Sequence, residues 1–370
     1  MVSANAFQIA VLPGDGIGPE VMAPCLEVLA AAEKKVGGFS LSTASHPSGA
    51  GHYRDHGEAL PKATMDACRQ ADAILLAAMG LPSVRYPDGT EIAPQIDLRF
   101  NLGLYAGVRP VKSIPGLPPV LADPRAANLD FVLVRESTEG LFATRAKGAV
   151  VNDLAATETL VITRGVSERL FDFCFQLARQ RKSRGRPGHV TCVDKANVFA
   201  AFAFFRKIFE ERAAKFPDIG AFNAYVDATA LDMVRRPWTM DVLVTENMFG
   251  DIMSDLGAGL MGGMGMAPSA DIGDDHAVFQ PCHGTAPDIV GQGKANPTAM
   301  FLSGAMMLEW LGTKHQSTSA ARAAQLIEAA VSKAYIDNGL KPFELGGLDG
   351  TRAITTAVLE ALEALPVPAP

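Results

Sequence analysis

The sequence predicts an α/β fold built on a largely parallel sheet. Short runs rich in β-branched residues recur along the chain, and most are followed by polar residues and then by a helical pattern. Strands that alternate with helices favour parallel pairing, because two parallel strands need a long crossover connection. The chain has 370 residues, 48% of them hydrophobic, which is enough for a two-lobed unit or two domains.

The first strand–helix unit lies near the N-terminus. FQIAVLPGDGIGPEV (residues 7–21) indicates a buried strand, a glycine-rich turn and the start of a helix. The turn matches a dinucleotide-binding fingerprint only in part, since Pro19 stands where G-x-G-x-x-G requires its third glycine. A tight strand-to-helix turn is the favoured interpretation. ADAILLAAMG (71–80) predicts a second buried strand.

The same theme returns in four later segments. They are LDFVLVRESTEGLF (129–142), HVTCVDKANVFAAF (189–202), FNAYVDATALDMV (222–234) and MDVLVTENMFGDIMSDL (240–256). Charged residues fall where these strands end. In open α/β sheets, ligand sites gather at the carboxyl ends of strands.

Two segments differ from this theme. GAVVNDLAATETLVITRG (148–165) alternates in polarity and predicts a two-stranded arm over about 144–164. An isolated hairpin is barely stable, so we expect the arm to pair with a partner subunit. SADIGDDHAVFQPCHGTAPDIVGQGKANP (269–297) is rich in Gly and Pro and predicts a long loop, and such loops are usually functional.

Charge and composition exclude several classes of protein. The net charge of -7 argues against nucleic acid or an anionic membrane as partner. The basic run RQRKSRGRPG (179–188) lacks interleaved aromatic residues, which favours a solvated connection. We find neither a signal peptide nor a membrane-spanning stretch, and expect a cytoplasmic protein. Scattered cysteines predict free thiols rather than disulfides or a zinc site: Cys25, Cys68, Cys174, Cys192 and Cys282.

Three carboxylates follow predicted strands and point to a divalent metal. Asp227 ends the predicted strand NAYVD, and Asp251 and Asp255 lie one turn apart on one face of the helix after DVLVTEN. Carboxylate oxygens are hard ligands that suit Mg²⁺ or Mn²⁺. Helix capping or solvation is the alternative for each aspartate alone, but Asp255 cannot cap the helix that Asp251 caps. The set therefore favours a metal site.

Three arginines and one lysine complete the candidate chemistry. Arg99, Arg109 and Arg135 each follow or interrupt an apolar stretch. Guanidinium groups bind carboxylates bidentately, so the set favours a substrate with several carboxylates, whereas surface ion pairing is the alternative for each alone. Lys195 lies in a predicted strand-to-helix turn. It is interpreted either as an acid–base group beside a metal or as an exposed loop lysine. These features leave the reaction open.

Five motifs occur in order along nearly the whole chain: GDGIGPEV, LYAGVRP, VDKANV, TENMFGDIMSD and HGTAPDIVGQGKANP. Together they resemble the isopropylmalate/isocitrate dehydrogenase family of β-decarboxylating dehydrogenases. The resemblance implies a two-domain open α/β sheet that is not a Rossmann fold. It implies a large, cofactor-binding domain from 1–103 and 263–370. It also implies a small domain, 104–262, with the metal and substrate residues and the contacts of an obligate homodimer with shared active sites.

The resemblance also implies a role for each candidate residue. Arg99, Arg109 and Arg135 would bind the malate part of a 2-hydroxy diacid. Asp251 and Asp255 would hold Mg²⁺ or Mn²⁺ together with Asp227 of the partner subunit. The partner subunit's Lys195 would help to move the hydroxyl proton. Hydride transfer to the nicotinamide and loss of CO₂ would complete the reaction.

For the cofactor, the resemblance points to HGTAPDI (283–289) and its surroundings. Asp288 and Ile289 stand where the family distinguishes its cofactors, and a carboxylate there accepts ribose hydroxyls and repels a 2′-phosphate, which predicts NAD. Lys294 nearby weighs the other way. Asn296 would reach the adenine, and it is also placed to cap the helix before Pro297. The remaining cofactor-binding candidates are His283, Gly284 and Ala286.

Two places depart from the family pattern. Phe142 stands where the family has a tyrosine that protonates the enolate carbon. Water or another residue supplies that proton, or protonation is slow, or oxidation proceeds without obligatory decarboxylation. Gln95 and Ile96 stand where isopropylmalate enzymes have two leucines, and Ala93 stands where isocitrate enzymes have serine. A buried amide without a partner is costly, so we expect Gln95 to face a polar substituent or water.

The substrate therefore stays open. 3-Isopropylmalate is the default, and tartrate, D-malate and isocitrate are alternatives. A non-catalytic regulatory subunit is the alternative of another class, although all three arginines, the lysine and the aspartates are present.

Overall fold

The computed structural model describes residues 5–145 and 147–369. The strands are β1 (Asn5–Gly14), β2 (Phe39–Ser45), β3 (Ala73–Ala78), β4 (Ala106–Lys112), β5 (Asp130–Glu136), β6 (Ala149–Val151), β7 (Ala155–Thr157), β8 (His189–Asp194), β9 (Gly220–Tyr225), β10 (Val242–Thr245), β11 (Pro268–Ile272) and β12 (Ala277–Pro281). The helices are α1 (Gly18–Val36), α2 (Ala50–His56), α3 (Lys62–Gln70), α4 (Pro94–Leu102), α5 (Arg164–Ser183), α6 (Ala200–Ala213), α7 (Val226–Arg235), α8 (Asn247–Met261), α9 (Thr298–Lys314), α10 (Thr318–Asn338) and α11 (Thr351–Ala364).

Most strands join one mixed sheet in the order β2-β1-β3-β12-β11-β4-β5-β10-β8-β9. Within each half of the sheet the neighbouring strands are parallel. The antiparallel pairs lie at the centre of the sheet and are β12–β11, β11–β4 and β4–β5. The α/β prediction is confirmed. Strands of one half come from 5–78 and 268–281, and those of the other from 106–245. The sheet continues across the β11–β4 pair, so the two-domain division stays a prediction, and residues 1–4 and 370 lie outside the described residues.

The sequence predicted one long loop over 269–297, and the structure contradicts this prediction. β11 and β12 form an antiparallel hairpin within this segment, and only the part after Pro281 is irregular. The composition was misleading because the hairpin buries polar residues, which strands seldom do: Ser269, Asp271 and Gln280.

The glycine-rich turn after β1 is a structural junction. Gly16 has φ +58°, and a Cβ there would lie 2.1 Å from the carbonyl oxygen of Thr285. Both observations require glycine. The buried carboxylate of Asp15 accepts hydrogen bonds of 2.7–2.8 Å from the backbone amides of Ala50, Gly51 and Gly80. These contacts agree with the tight-turn interpretation.

The predicted arm is present as a hairpin, with β6 paired antiparallel to β7. Its apolar side chains face outward, with exposed fractions of 73% for Val150 and 87% for Leu154. Pairing with a second subunit stays a prediction, and Ala146 lies outside the described residues. In the part of the chain described here, no helix is long and apolar enough to cross a membrane.

The basic run before β8 is held by acids. Arg179 pairs with Asp218, and Arg181 pairs with Asp130 and the buried Asp241. These arginines therefore fasten the end of α5 to the sheet. The sequence predicted a solvated connection over 179–188, but residues 179–183 are the last part of α5 and Arg181 is mostly buried, so only the part after Ser183 is a connection. All five cysteines are free thiols.

Candidate active site

One cleft of about 180 Å³ brings together most of the predicted substrate and metal residues. It lies between the end of β3, helices α4 and α8, and the central strands β4, β5 and β12. The predicted residues that line it are Gln95, Arg99, Arg109, Arg135, Asp251, Asp255, His283 and Gly284. Ile96 is half-buried on α4 and lies outside the lining of this cleft in the described chain.

A buried aspartate that sequence reasoning missed joins two of the arginines. Asp271, on β11, is 1% exposed and accepts hydrogen bonds from Arg99 Nε at 2.8 Å and Arg109 Nη2 at 3.0 Å. Gln280 donates to the same carboxylate at 2.9 Å. Burial alone would raise the pKa of Asp271, but Arg99 and Arg109 outweigh it and hold the pKa at about 2. The one available signal was an acid in the short segment SADI (269–272), which the sequence predicted as part of a loop.

Arg135 is fixed by the start of α8. Its Nε and Nη2 donate to Asn247 Oδ1 at 2.9 and 2.7 Å, and its Nη1 contacts the Asp251 carboxylate. Asn247 Nδ2 in turn donates to the carbonyl oxygen of Glu139 at 3.0 Å. Burial, followed by the nearby charge of Arg99, lowers the pKa of Arg135 to about 10, so the guanidinium stays charged at neutral pH.

The two aspartates of α8 are free for a role other than capping. Glu246 caps this helix by accepting from the amides of Met248 and Phe249 at 3.0 and 3.4 Å. Burial and the charge of Asp251 raise the pKa of Asp255. A divalent cation would relieve this repulsion, and carboxylate oxygens suit Mg²⁺ or Mn²⁺. The residues present therefore fit such an ion.

The third predicted metal ligand lies elsewhere. Asp227 is in the first turn of α7 and not at the end of a strand, because β9 stops at Tyr225. Lys195 Nζ lies 2.7 Å from Asp227 Oδ1 and holds the pKa of that carboxyl below its usual range. Neither side chain lines the cleft, and the described residues contain no group of three His, Cys, Asp or Glu placed to hold a metal within one chain. The three aspartates do not form a site within one subunit.

A second groove, of about 200 Å³, adjoins the cleft at His283. Its lining includes four of the predicted cofactor residues: His283, Ala286, Ile289 and Asn296. The Nδ1 of His283 lies 2.9 Å from the carbonyl oxygen of Gly284, and its buried Nε2 has no partner among the described residues. An unpaired acceptor at the junction fits a polar ligand that spans both spaces.

Asn296 lines the second groove, whereas Asp288 lies outside its lining. Asn296 Oδ1 accepts from the amide of Thr298 at 3.0 Å, so the capping interpretation is correct. Its Nδ2 donates to Glu344 at 2.7 Å. Asp288 is exposed outside the groove lining, whereas Lys294 lines it with Nζ 4.6 Å from the Phe343 ring centroid.

The two departures from the family pattern both lie at the arginines. The Phe142 ring centroid is 5.0 Å from the guanidinium carbon of Arg135. Gln95 lines the cleft, and its buried Oε1 has no hydrogen-bond partner in the described part of the chain. An apolar ring therefore lies against Arg135, although Phe142 is not among the described residues that line the cleft, and an amide oxygen without a partner faces the cleft itself.

Comparisons with known proteins agree over almost the whole chain. The family profile described as Isocitrate/isopropylmalate dehydrogenase matches residues 8–362. The 3-isopropylmalate dehydrogenase of Moorella thermoacetica is 40% identical over 96% of this chain and 98% of its own. The 3-isopropylmalate/3-methylmalate dehydrogenase of Methanocaldococcus jannaschii is 40% identical over 92% of this chain and 94% of its own. The isocitrate dehydrogenase structure from Methylococcus capsulatus is 36% identical in sequence and has a TM-score of 0.84. The match covers 96% of this chain and 99% of the Methylococcus chain.

These matches and the arginine-lined cleft identify the protein as an oxidoreductase of the β-decarboxylating hydroxyacid dehydrogenase type. The chain belongs to the isocitrate/isopropylmalate dehydrogenase family.

Proposed function

We propose that the protein oxidises a malate-type 2-hydroxy diacid with NAD and Mg²⁺ or Mn²⁺, and that β-decarboxylation follows. 3-Isopropylmalate is the first substrate to test, because relatives with that name are 40% identical over nearly the whole chain. The observation that carries the proposal is the cleft itself, where three buried arginines face two aspartates of one helix.

The arginines bind the substrate carboxylates. Arg99 is held through Nε, and its two terminal nitrogens have no protein partner among the described residues, so they offer a fork for one carboxylate. Arg109 and Arg135 are each held by several hydrogen bonds, which fixes the bound acid in one orientation.

The metal site is completed by a second copy of the chain. Asp251 and Asp255 would hold the ion together with Asp227 of the partner subunit. An ion bound there supplies Lewis-acid polarisation of the 2-hydroxyl and of the carbonyl formed from it. The partner subunit's Lys195 takes part in removing the hydroxyl proton.

Exposed apolar side chains near these elements support a homodimer. Phe199 follows the Lys195 turn and is 54% exposed, Leu231 on α7 is 55% exposed, and Ile252 on α8 is 66% exposed. Large apolar side chains clustered on a surface are typical of an interface. The arm formed by β6 and β7 adds Val150 and Leu154 to the apolar surface available for dimerisation.

The second groove accepts the cofactor. His283 lies where the groove meets the cleft, which suits a ligand that reaches the substrate from the groove. Asp288 is exposed outside the groove lining, and its carboxylate, if it reaches the ribose, would accept hydrogen bonds from the hydroxyls and repel a 2′-phosphate. We therefore propose NAD over NADP, and a higher kcat/KM with NADP would contradict this choice.

A tartrate or D-malate dehydrogenase is the second candidate. Gln95 favours it, because the unpaired Oε1 is an acceptor that an isopropyl group cannot satisfy. A hydroxyl or a water beside a short substituent can satisfy it. Phe142 cannot protonate a carbon, so oxidation without obligatory loss of CO₂ is compatible with either substrate.

The test is a substrate panel with the purified protein, NAD⁺ and Mn²⁺. The panel contains 3-isopropylmalate, isocitrate, homoisocitrate, tartrate and D-malate, and NADH and CO₂ are followed separately. We expect NADH from a diacid of the malate type. Binding of these acids without any turnover would contradict the proposal and favour the non-catalytic subunit. NADH without CO₂ would restrict the reaction to oxidation.

A further inference from the structure

We propose that Asp271 sets the charge of the substrate that the cleft accepts, so that the site selects dicarboxylates and rejects tricarboxylates. The inference rests on the proposed function and names a residue that touches the arginines and not the substrate. Asp271 is therefore a positioning residue whose charge determines specificity.

The first step is the charge of the cleft. Arg99, Arg109 and Arg135 contribute three positive charges, and Asp251 and Asp255 contribute two negative charges. Without another group, the cleft would carry one net positive charge. Asp271 lies directly behind two of the arginines, and its pKa of about 2 keeps it ionised at neutral pH. The charges of the cleft therefore sum to zero.

The second step is the charge of the metal-loaded site before NAD binds. A divalent ion adds two positive charges, and Lys195 and Asp227 enter as a pair that adds none. A dicarboxylate then neutralises the site, whereas a tricarboxylate leaves one negative charge uncompensated. An uncompensated charge in a buried site is strongly unfavourable. The arginines are 4–9% exposed, so water screens them little.

The third step separates charge from geometry. Asp271 accepts from Arg99 at Nε, which leaves the two terminal nitrogens of that arginine without a partner among the described residues. Asn at this position keeps the size of the side chain and removes the charge. Glu keeps the charge and displaces it. The two substitutions therefore distinguish the charge from the exact position of the carboxylate.

The experiment measures binding and turnover on the full-length protein with Mg²⁺ present. Calorimetric affinities for succinate and for propane-1,2,3-tricarboxylate give a readout that needs no catalysis. We expect wild type to prefer the dicarboxylate, and Asp271→Asn to shift the affinity ratio toward the tricarboxylate by about tenfold or more, because one charge is removed within a few ångströms. We expect Asp271→Glu to keep the wild-type preference even if both affinities fall.

The matched control is Asp275→Asn, which removes the same charge from the exposed turn of the same hairpin. We expect it to leave the ratio unchanged. A wild-type protein that binds the tricarboxylate as tightly as the dicarboxylate would overturn the inference, and this result does not depend on any variant folding. An Asp271→Asn variant that weakens both ligands equally would reduce Asp271 to a structural role.

Failure here can be told apart from failure of the proposed function. Dicarboxylate-selective binding without oxidation of any panel member would refute the dehydrogenase proposal and leave the charge inference standing. Oxidation of a malate-type diacid together with equal binding of both analogues would refute the charge inference alone.

Discussion

Two regions of the molecule pair acids with bases, and they differ in how firmly each pair is held. In the cleft, Asp271 is 1% exposed and joins Arg99 and Arg109 through hydrogen bonds that leave little freedom. On the outer face, the Lys195 and Asp227 side chains are 26% and 68% exposed and are joined by one contact of 2.7 Å. The buried ion pairs of Asp271 are complete within one subunit, whereas the Lys195–Asp227 pair is exposed and accessible to a second subunit.

The difference matters for function because both regions carry residues expected to act in one reaction. A buried ion pair is costly to break, since the remaining charge is left without a partner. A surface pair contributes little to stability. Substitutions in the cleft should therefore change stability and activity together, and substitutions of the outer pair should change activity alone.

The largest combined effect is expected from Arg109→Met. Removing this guanidinium leaves Asp271 with one arginine and should lower the free energy of unfolding by about 3–5 kcal/mol. Loss of a carboxylate-binding group should also raise KM. Urea unfolding and steady-state kinetics measure the two effects. Unchanged stability would show that the buried pair is not structural.

Lys195→Met should separate the two properties. We expect kcat to fall by about 10²–10⁴-fold, as is typical when an acid–base group is removed. Because Lys195 is partly exposed and makes one contact, the unfolding midpoint should stay close to that of wild type. Lys333→Met, at another exposed lysine–aspartate pair, is the control and should alter neither. A large loss of stability with Lys195→Met would contradict the proposed contrast.

Asp251→Asn tests the metal side of the cleft. It should lower Mn²⁺-dependent kcat by roughly 10²-fold or more, because metal polarisation contributes several kcal/mol. It should also abolish the rise in unfolding midpoint that Mn²⁺ gives by binding the native state. Metal-dependent activity equal to wild type would show that Asp251 is not a ligand.

Glu136 gives the cleft region a pH dependence of stability opposite in sign to that of the outer pair, where Lys195 lowers the pKa of Asp227. Burial raises the pKa of Glu136 from 4.5 to about 7. A raised folded-state pKa means that the protonated carboxyl stabilises the fold below pH 4.5 and that this contribution is lost as pH rises to 7. The contribution of Glu136 alone should fall by about 3 kcal/mol over this range. Glu136→Gln should flatten the profile, and a slope equal to wild type would contradict the assignment.

The smallest effect is expected from Phe142→Tyr. A tyrosine hydroxyl beside Arg135 adds a proton donor where the wild-type chain has an apolar ring. We expect the ratio of CO₂ to NADH to rise several-fold if protonation limits the wild-type reaction. An unchanged ratio would show that the proton already comes from another source.

The sequence predicted the fold because strand and helix signals alternate and because local patterns determine both. It also placed the arginines and the α8 aspartates, whose roles follow from residue type and spacing. It did not reveal Asp271 or Asn247, because their partners Arg99 and Arg135 lie far away in the chain. Only the folded sheet brings such pairs together, and a buried polar strand such as β11 resembles a loop in composition.

The errors at Asp227 and Ile96 have local causes. Asp227 follows a strand pattern by two residues, and the start of α7 at Val226 moves it into the first helical turn. Ile96 is adjacent to Gln95 on α4, and neighbouring helical residues point about 100° apart. Gln95 therefore reaches the cleft and Ile96 does not.

The most direct test of a site completed by a second copy is complementation between two inactive variants. Asp251→Asn and Lys195→Met are co-expressed, and the mixed dimers are assayed with Mn²⁺ and NAD⁺. One site of a mixed dimer carries both substitutions, and the other site carries neither. We expect about a quarter of the wild-type specific activity when the subunits pair at random. If each chain formed its whole site alone, the mixture would be as inactive as either variant, and that result would contradict the shared site.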